Sequence, residues 1–332
     1  MSGRPAGPTW ATSDTIEPMS EGAGEPSRGP APGAATPSPE ALALLLEHTD
    51  RSARGHETHP AVVAAVVGVE RLVALLGTTQ PSVLATAVTD GAEGRGTEPV
   101  VAATQQSLHT IGVALARVGS GWVADATVVN PETGGHPVAT DLGALRAATR
   151  ASIASYEGVP YYRDRYADRG SRYSLSDSGW LVHLVGAPES VAVHQVHWLS
   201  DLLATKGMPT WLMERHLDAL VAALREDGVD AGALPHALGS VRARRQAHVS
   251  DDGLERAEEW VLRTVAAPPT TPTGRLLAGA VADVRAGITR DATPVMGWLT
   301  DPSRTGARDA AALAALHDHL LAAGPDGRSP QP

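Results

Sequence analysis

Residues 188–228 read PESVAVHQVHWLSDLLATKGMPTWLMERHLDALVAALREDG, and this stretch decides the fold class. Pro188 opens a run free of Gly and Pro that ends at Gly207. Pro209 then opens a second run that ends at Gly228. Proline fits the first turn of a helix, where its missing N–H has no partner to lose, and glycine tolerates the left-handed backbone just past a helix end. Within the second run Met213, Leu217, Leu220 and Leu224 recur three and four apart, which makes one apolar stripe on a helix. Two helices, 188–206 and 209–227, are therefore expected.

The same punctuation extends in both directions. Downstream, helices are expected over 232–248, 252–265, 273–289 and 304–322, with Ser250 as an N-cap and Glu255 three residues after Asp252. Upstream, 141–156 and 160–168 read as helices, the latter ended by Gly170. Ser174 with Asp177 has capping-box spacing and predicts a separate helix reaching 185. Near the start, Ser38-Pro39-Glu40 caps a short helix over 41–48. Helices over 60–76, 81–88 and 99–118 follow. Strand competes only at 122–129, where β-branched residues precede a turn-rich 130–135 and a short 136–139. The expectation is a predominantly all-α multi-helix bundle, with one short β-hairpin near 122–139 as the sole competitor.

Residues 1–37 are rich in Pro, Gly, Ser and Ala and read as a disordered tail, as do 324–332, because neither can bury enough apolar surface to offset ordering entropy. Between them lie an N-terminal helical region, 38–150, and a C-terminal helical bundle, 151–323. The Pro-rich 267–273 reads either as a boundary or as an ordinary loop.

Composition narrows the function. The chain has no Cys, which excludes disulfides, thiolate metal sites and Cys nucleophiles. A formal net charge of −10 argues against nucleic acid as a partner, and Arg242, Arg244 and Arg245 are too few to reverse that. No run approaches the roughly 20 apolar residues of a membrane span, and no signal pattern opens the chain, so a cytoplasmic location is expected.

Two constellations carry chemistry. All five tyrosines lie from Tyr156 to Tyr173, interleaved with Arg163, Arg165, Arg169 and Arg172. Tyr162, Arg165, Tyr166, Arg169 and Arg172 together could hold an anionic, partly aromatic molecule, since Arg forks match carboxylate or phosphate and Tyr adds apolar area. The structural alternative pairs Arg165 with Asp168 and packs Tyr162 and Tyr166 inward. His183 and Trp180 are near enough in sequence to contribute. The second constellation is His194, His197 and Asp201, which share one narrow arc of a helix and so could bind a metal. Their arc lies opposite Val191, Trp198, Leu199, Leu202 and Leu203, which favours a solvated polar face instead. His216 sits at the edge of its apolar stripe, as a half-buried histidine donating to a backbone carbonyl, and Glu214 lies off that stripe. His56 and His59 lack the spacing of a helical zinc pair.

No nucleophile elbow, P-loop or dinucleotide fingerprint is present in the sequence. The leading expectation is a helical sensor-type or regulatory module that binds a small-molecule ligand or a protein partner. A metal- or cofactor-dependent enzyme with its site between helices is the alternative, and no cofactor is specified. A structural or assembly protein, seen as a symmetric homo-oligomer, is the third.

Overall fold

The computed structural model describes residues 38–51 and 58–323. The expected tails and His56 lie outside the described residues, as does the side chain of Asp168. The molecule is 72% helical, with no strand among the described residues. Among the described residues thirteen α-helices follow one another: α1 (Pro39–Glu47), α2 (Pro60–Leu76), α3 (Pro81–Ala92), α4 (Glu98–Val118), α5 (Leu142–Glu157), α6 (Pro160–His183), α7 (Glu189–Thr205), α8 (Thr210–Glu226), α9 (Leu234–Gln246), α10 (Asp251–Thr264), α11 (Thr273–Arg285), α12 (Thr293–Leu299) and α13 (Ala307–Ala322).

The caps expected at Ser38 and Ser250 form, while the one expected at Ser174 does not. Ser38 Oγ accepts from the Ala41 amide at 3.4 Å, and Ser250 Oγ accepts from the Gly253 amide at 3.1 Å. Asp141 caps α5 by accepting from the Ala144 amide at 2.8 Å. The hairpin does not form. Residues 122–139 make a short 3-10 turn, Ala126–Val128, and one isolated antiparallel bridge between Asp125 and Pro137. Asp125 explains this, because its carboxylate accepts from the Thr127 amide, the Thr127 hydroxyl and the Trp122 indole, which winds the segment into a turn. The short helix α12 has no counterpart among the expected elements.

Two apolar cores organise the helices. The first is built from α1 to α5, the second half of α6, α7, most of α8, and α9. The second gathers α10 to α13 around Val159, Tyr161, Trp211 and Leu212. Helices α6 and α8 therefore each contribute to both cores, one end to each. Gly274 abuts the backbone of Ala257, so α10 and α11 pack directly and 267–273 is an ordinary loop. Helix α2 is buried on nearly every side between α4 and α5. No single helix among the described residues is long and apolar enough to cross a membrane. The pair α2 and α3 reaches that length only together and turns by 102° at its break.

Two buried glutamates are matched by arginines. Glu70 on α2 is fully buried and takes a bidentate pair from Arg51 at 2.7 and 2.9 Å, with Arg146 at 3.5 Å and Arg150 at 3.8 Å. Glu214 is buried too, not displaced from the apolar stripe into solvent. Arg245 forks onto it at 2.9 and 3.0 Å and also reaches Asp251. Arg242 pairs with Asp218 and Arg244 with Asp201, so the three arginines are dispersed among acidic partners.

Candidate ligand-binding site

Where α6 and α8 pass between the two cores, they leave a cavity of about 210 Å³ against α7. The tyrosine-rich segment forms one wall of it. Two helical segments meet within α6, but at a kink rather than at the cap expected at Ser174. The helix runs from Pro160 to His183 around a single break at Ala167, whose φ of 46° and ψ of −150° are non-helical. Such a backbone costs about 1–3 kcal/mol at a residue with a Cβ, so surrounding contacts must hold it. The Tyr156 hydroxyl faces the carbonyls on both sides of the break, those of Tyr162 at 3.1 Å and of Ala167. Gly170 lets Tyr156 and Tyr166 close over the break, since a Cβ there would lie 2.5 Å from Tyr166 Cβ.

The tyrosines divide between two tasks. Tyr161 is fully buried on the second-core side, where its hydroxyl donates to the Gly207 carbonyl at 2.5 Å and its ring meets Trp298 edge-on at 4.9 Å. Tyr156, Tyr162, Tyr166 and Tyr173 line the cavity. Tyr156 and Tyr162 stack with centroids 5.5 Å apart, and Tyr166 is anchored by donating to the Lys206 carbonyl at 2.9 Å. Burial pushes the phenols of Tyr162 and Tyr166 well above the ordinary tyrosine range, so both stay neutral.

The arginines expected to meet an anion do not converge on the cavity. Arg165 turns away from it. Its guanidinium donates to the Pro294 carbonyl at 2.6 Å and to Tyr161, and it lies over the Tyr161 and Tyr166 rings. A Cβ at Gly207, which has φ of +86°, would strike this guanidinium at 2.7 Å. Arg172 pairs with Glu132. Arg169 does reach the cavity lining, but it lies over the Tyr173 ring and 3.5 Å from Glu132. Of the five expected residues, Tyr162, Tyr166 and Arg169 line the cavity, while Arg165 and Arg172 serve the scaffold.

Two titratable groups that the sequence placed elsewhere line it instead. Asp177 is no helix cap. It lies in the middle of α6, half-buried, and has no hydrogen-bond or ion-pair partner among the described residues. Burial pushes its carboxyl up to about 7, and its negative charge helps raise the neighbouring Tyr162 phenol. His216 is buried rather than half-exposed, and burial lowers its imidazole to about 4, so it is neutral. Its Nε2 lies 3.1 Å from Ser178 Oγ, whose own proton goes to the Ser174 carbonyl at 2.6 Å. The single hydroxyl proton is thus engaged, and Nε2 must be the donor of the pair. Leu181, Leu199, Leu202, Leu203 and Met213 complete an apolar surround.

The metal set does not assemble. His194 is exposed, His197 turns toward α9 with Nε2 2.8 Å from Ser240 Oγ, and Asp201 is held by Arg244. No group of three or more His, Asp or Glu residues suited to a metal occurs among the described residues. The helical wheel had also assigned Val191 and Trp198 to the apolar side, yet they are 44% and 43% exposed. Helix α9 covers the other face of α7 and rotates the buried arc toward His197. His183 is exposed; Trp180 is buried in the first core and meets Trp198 edge-on.

No protein-family model matches the chain, and no curated protein or solved structure matches it.

The cavity lining was nonetheless periodic in the sequence. Gly170, Tyr173, Ser174, Asp177 and Leu181 are spaced three and four apart and form one face of a continuous helix. Reading Ser174 as an N-cap broke that face in two and hid Asp177.

Proposed function

We propose that the protein is a helical module that binds a small, largely apolar molecule in the cavity between α6, α7 and α8. One observation carries this reading: a cavity of about 210 Å³ whose wall combines four tyrosines with a carboxyl that lacks a protein partner. The cavity opens partly to solvent, which gives a small molecule a way in, and its walls are mainly apolar. An engineered apolar cavity of about 150 Å³ already admits benzene. A few polar groups set among apolar walls are the usual makeup of a small-molecule site.

The break at Ala167 fits the same reading. It is held by Tyr156 and seats the cavity tyrosines, and local strain concentrates where binding is organised. The arrangement supplies no activated nucleophile. Ser178 already donates to a carbonyl, and His216 stays neutral, so binding is favoured over catalysis.

The test is a thermal-shift titration with 2-phenylethanol, a neutral probe small enough for the cavity. The wild-type protein is expected to show a saturable rise in midpoint with one site per chain. Leu203→Trp, which fills the cavity from α7, is expected to abolish the shift while keeping the helical circular-dichroism spectrum. No shift in the wild type, or the same shift in Leu203→Trp, would overturn the reading.

A further inference from the structure

We infer that the cavity takes an organic cation, an amine with an apolar or aromatic body, whose ammonium group docks on Asp177 against the faces of the tyrosines. The inference rests on the small-molecule reading above and names the class of ligand. Among the described residues Asp177 is the one acidic group in the lining, and no cation of theirs pairs with it. A carboxylate set among apolar side chains is poorly solvated, and a donor delivered by a ligand would restore what burial removed. Tyr156, Tyr162, Tyr166 and Tyr173 line the same cavity, and aromatic rings attract an ammonium; Arg165 over Tyr166 and Arg169 over Tyr173 already seat cations on two of them. His216 adds no positive charge, because its ring is neutral.

The cations near the cavity argue in the same direction. Arg165 and Arg172 are engaged with protein partners, and Arg169 lies against Glu132. Arg215, close enough to act on the Tyr162 phenol, lies over the Trp211 ring, and Lys206, at the C-terminal end of α7 (Glu189–Thr205), is the lining cation without a side-chain ion pair among the described residues. An anionic ligand would therefore meet one lysine and an uncompensated carboxylate. An amine meets a carboxylate and four aromatic rings.

Isothermal titration of the full chain with three probes of similar shape decides the matter: 2-phenylethylamine, the neutral 2-phenylethanol, and the anionic 3-phenylpropionate. At pH 8 the amine is expected to bind roughly tenfold or more tighter than the alcohol, and the acid weakest of all. Asp177→Asn should bring the amine down to the level of the alcohol measured on the same variant. The comparison of probes on the wild type stands even without that variant. Equal binding of amine and alcohol, or tightest binding by the acid, overturns the cation assignment while leaving the cavity a ligand site. Full retention of amine affinity in Asp177→Asn overturns it as well. Binding by none of the three overturns both this inference and the reading beneath it.

Discussion

Replacing Asp177 by Asn should make the protein more stable at alkaline pH and leave it nearly unchanged at acid pH. The carboxyl is raised from its ordinary value of 3.8 to about 7 by burial. An acid whose folded pKa is raised binds its proton more tightly when folded. Its cost is absent below the unfolded value near 4, grows as pH rises, and is complete above about 7. A rise of about three units corresponds to about 4 kcal/mol if none of it is relieved. Asp177 is half-buried and borders a cavity, so water relieves part of the penalty, and about 2 kcal/mol is the working figure. For a chain of this size that is a shift of about 3 °C. Asp283, also raised to about 7, has the same sign and persists in both proteins, and His216 has the opposite sign in both. The difference between wild type and variant therefore isolates Asp177. The assay is the gap in thermal midpoint between the two at pH 5 and at pH 8. A gap of about 1 °C at pH 5, growing to about 3 °C in favour of Asn at pH 8, is expected. A gap that is equal at both values, or that favours Asp at pH 8, would refute the account of a partnerless carboxyl.

Other perturbations address the scaffold. Glu70→Ala leaves Arg51, Arg146 and Arg150 facing an empty buried position and should cost about 3–5 kcal/mol in urea unfolding. Arg165→Ala should lower the thermal midpoint by removing the link from α6 to Tyr161 and Pro294, while Arg169→Ala should change amine affinity less than twofold by titration calorimetry. Gly207→Ala combines a positive φ with a collision against Arg165, and a destabilisation of about 1–3 kcal/mol by the same unfolding assay is expected.

Much of the fold was legible because helix boundaries are local chemistry. Ser38, Pro60, Pro81, Pro160, Gly77, Gly207 and Gly228 each mark an end that the structure keeps. What the sequence concealed depends on contacts distant along the chain. Glu70 is a lone acid in the apolar run of 60–76, and only the distant Arg51 and Arg146 make it part of a buried ion cluster. The polar arc of α7 looked solvated until α9 placed Ser240 and Arg244 against it. The ligand site was half legible. Tyrosine and arginine bias located it, but the bias could not tell Arg165, which braces Pro294, from a residue facing a cavity. Asp177 was lost because Ser174 three residues before it imitates a cap, and only the continuation of α6 through 168–183 places both on an inner face.

All five tyrosines lie in the site segment, so 3-fluorotyrosine labelling turns the ¹⁹F NMR spectrum into a report on that segment alone. Four of the rings line the cavity, and Tyr161, packed against Trp298 and the second core, is the internal control. On titration with 2-phenylethylamine, with lines assigned by Tyr→Phe substitution, the resonances of Tyr156, Tyr162, Tyr166 and Tyr173 are expected to move together and saturate while that of Tyr161 stays in place. A spectrum unchanged by the amine, or one in which Tyr161 moves as far as the other four, would contradict the assignment of this cavity as the binding site.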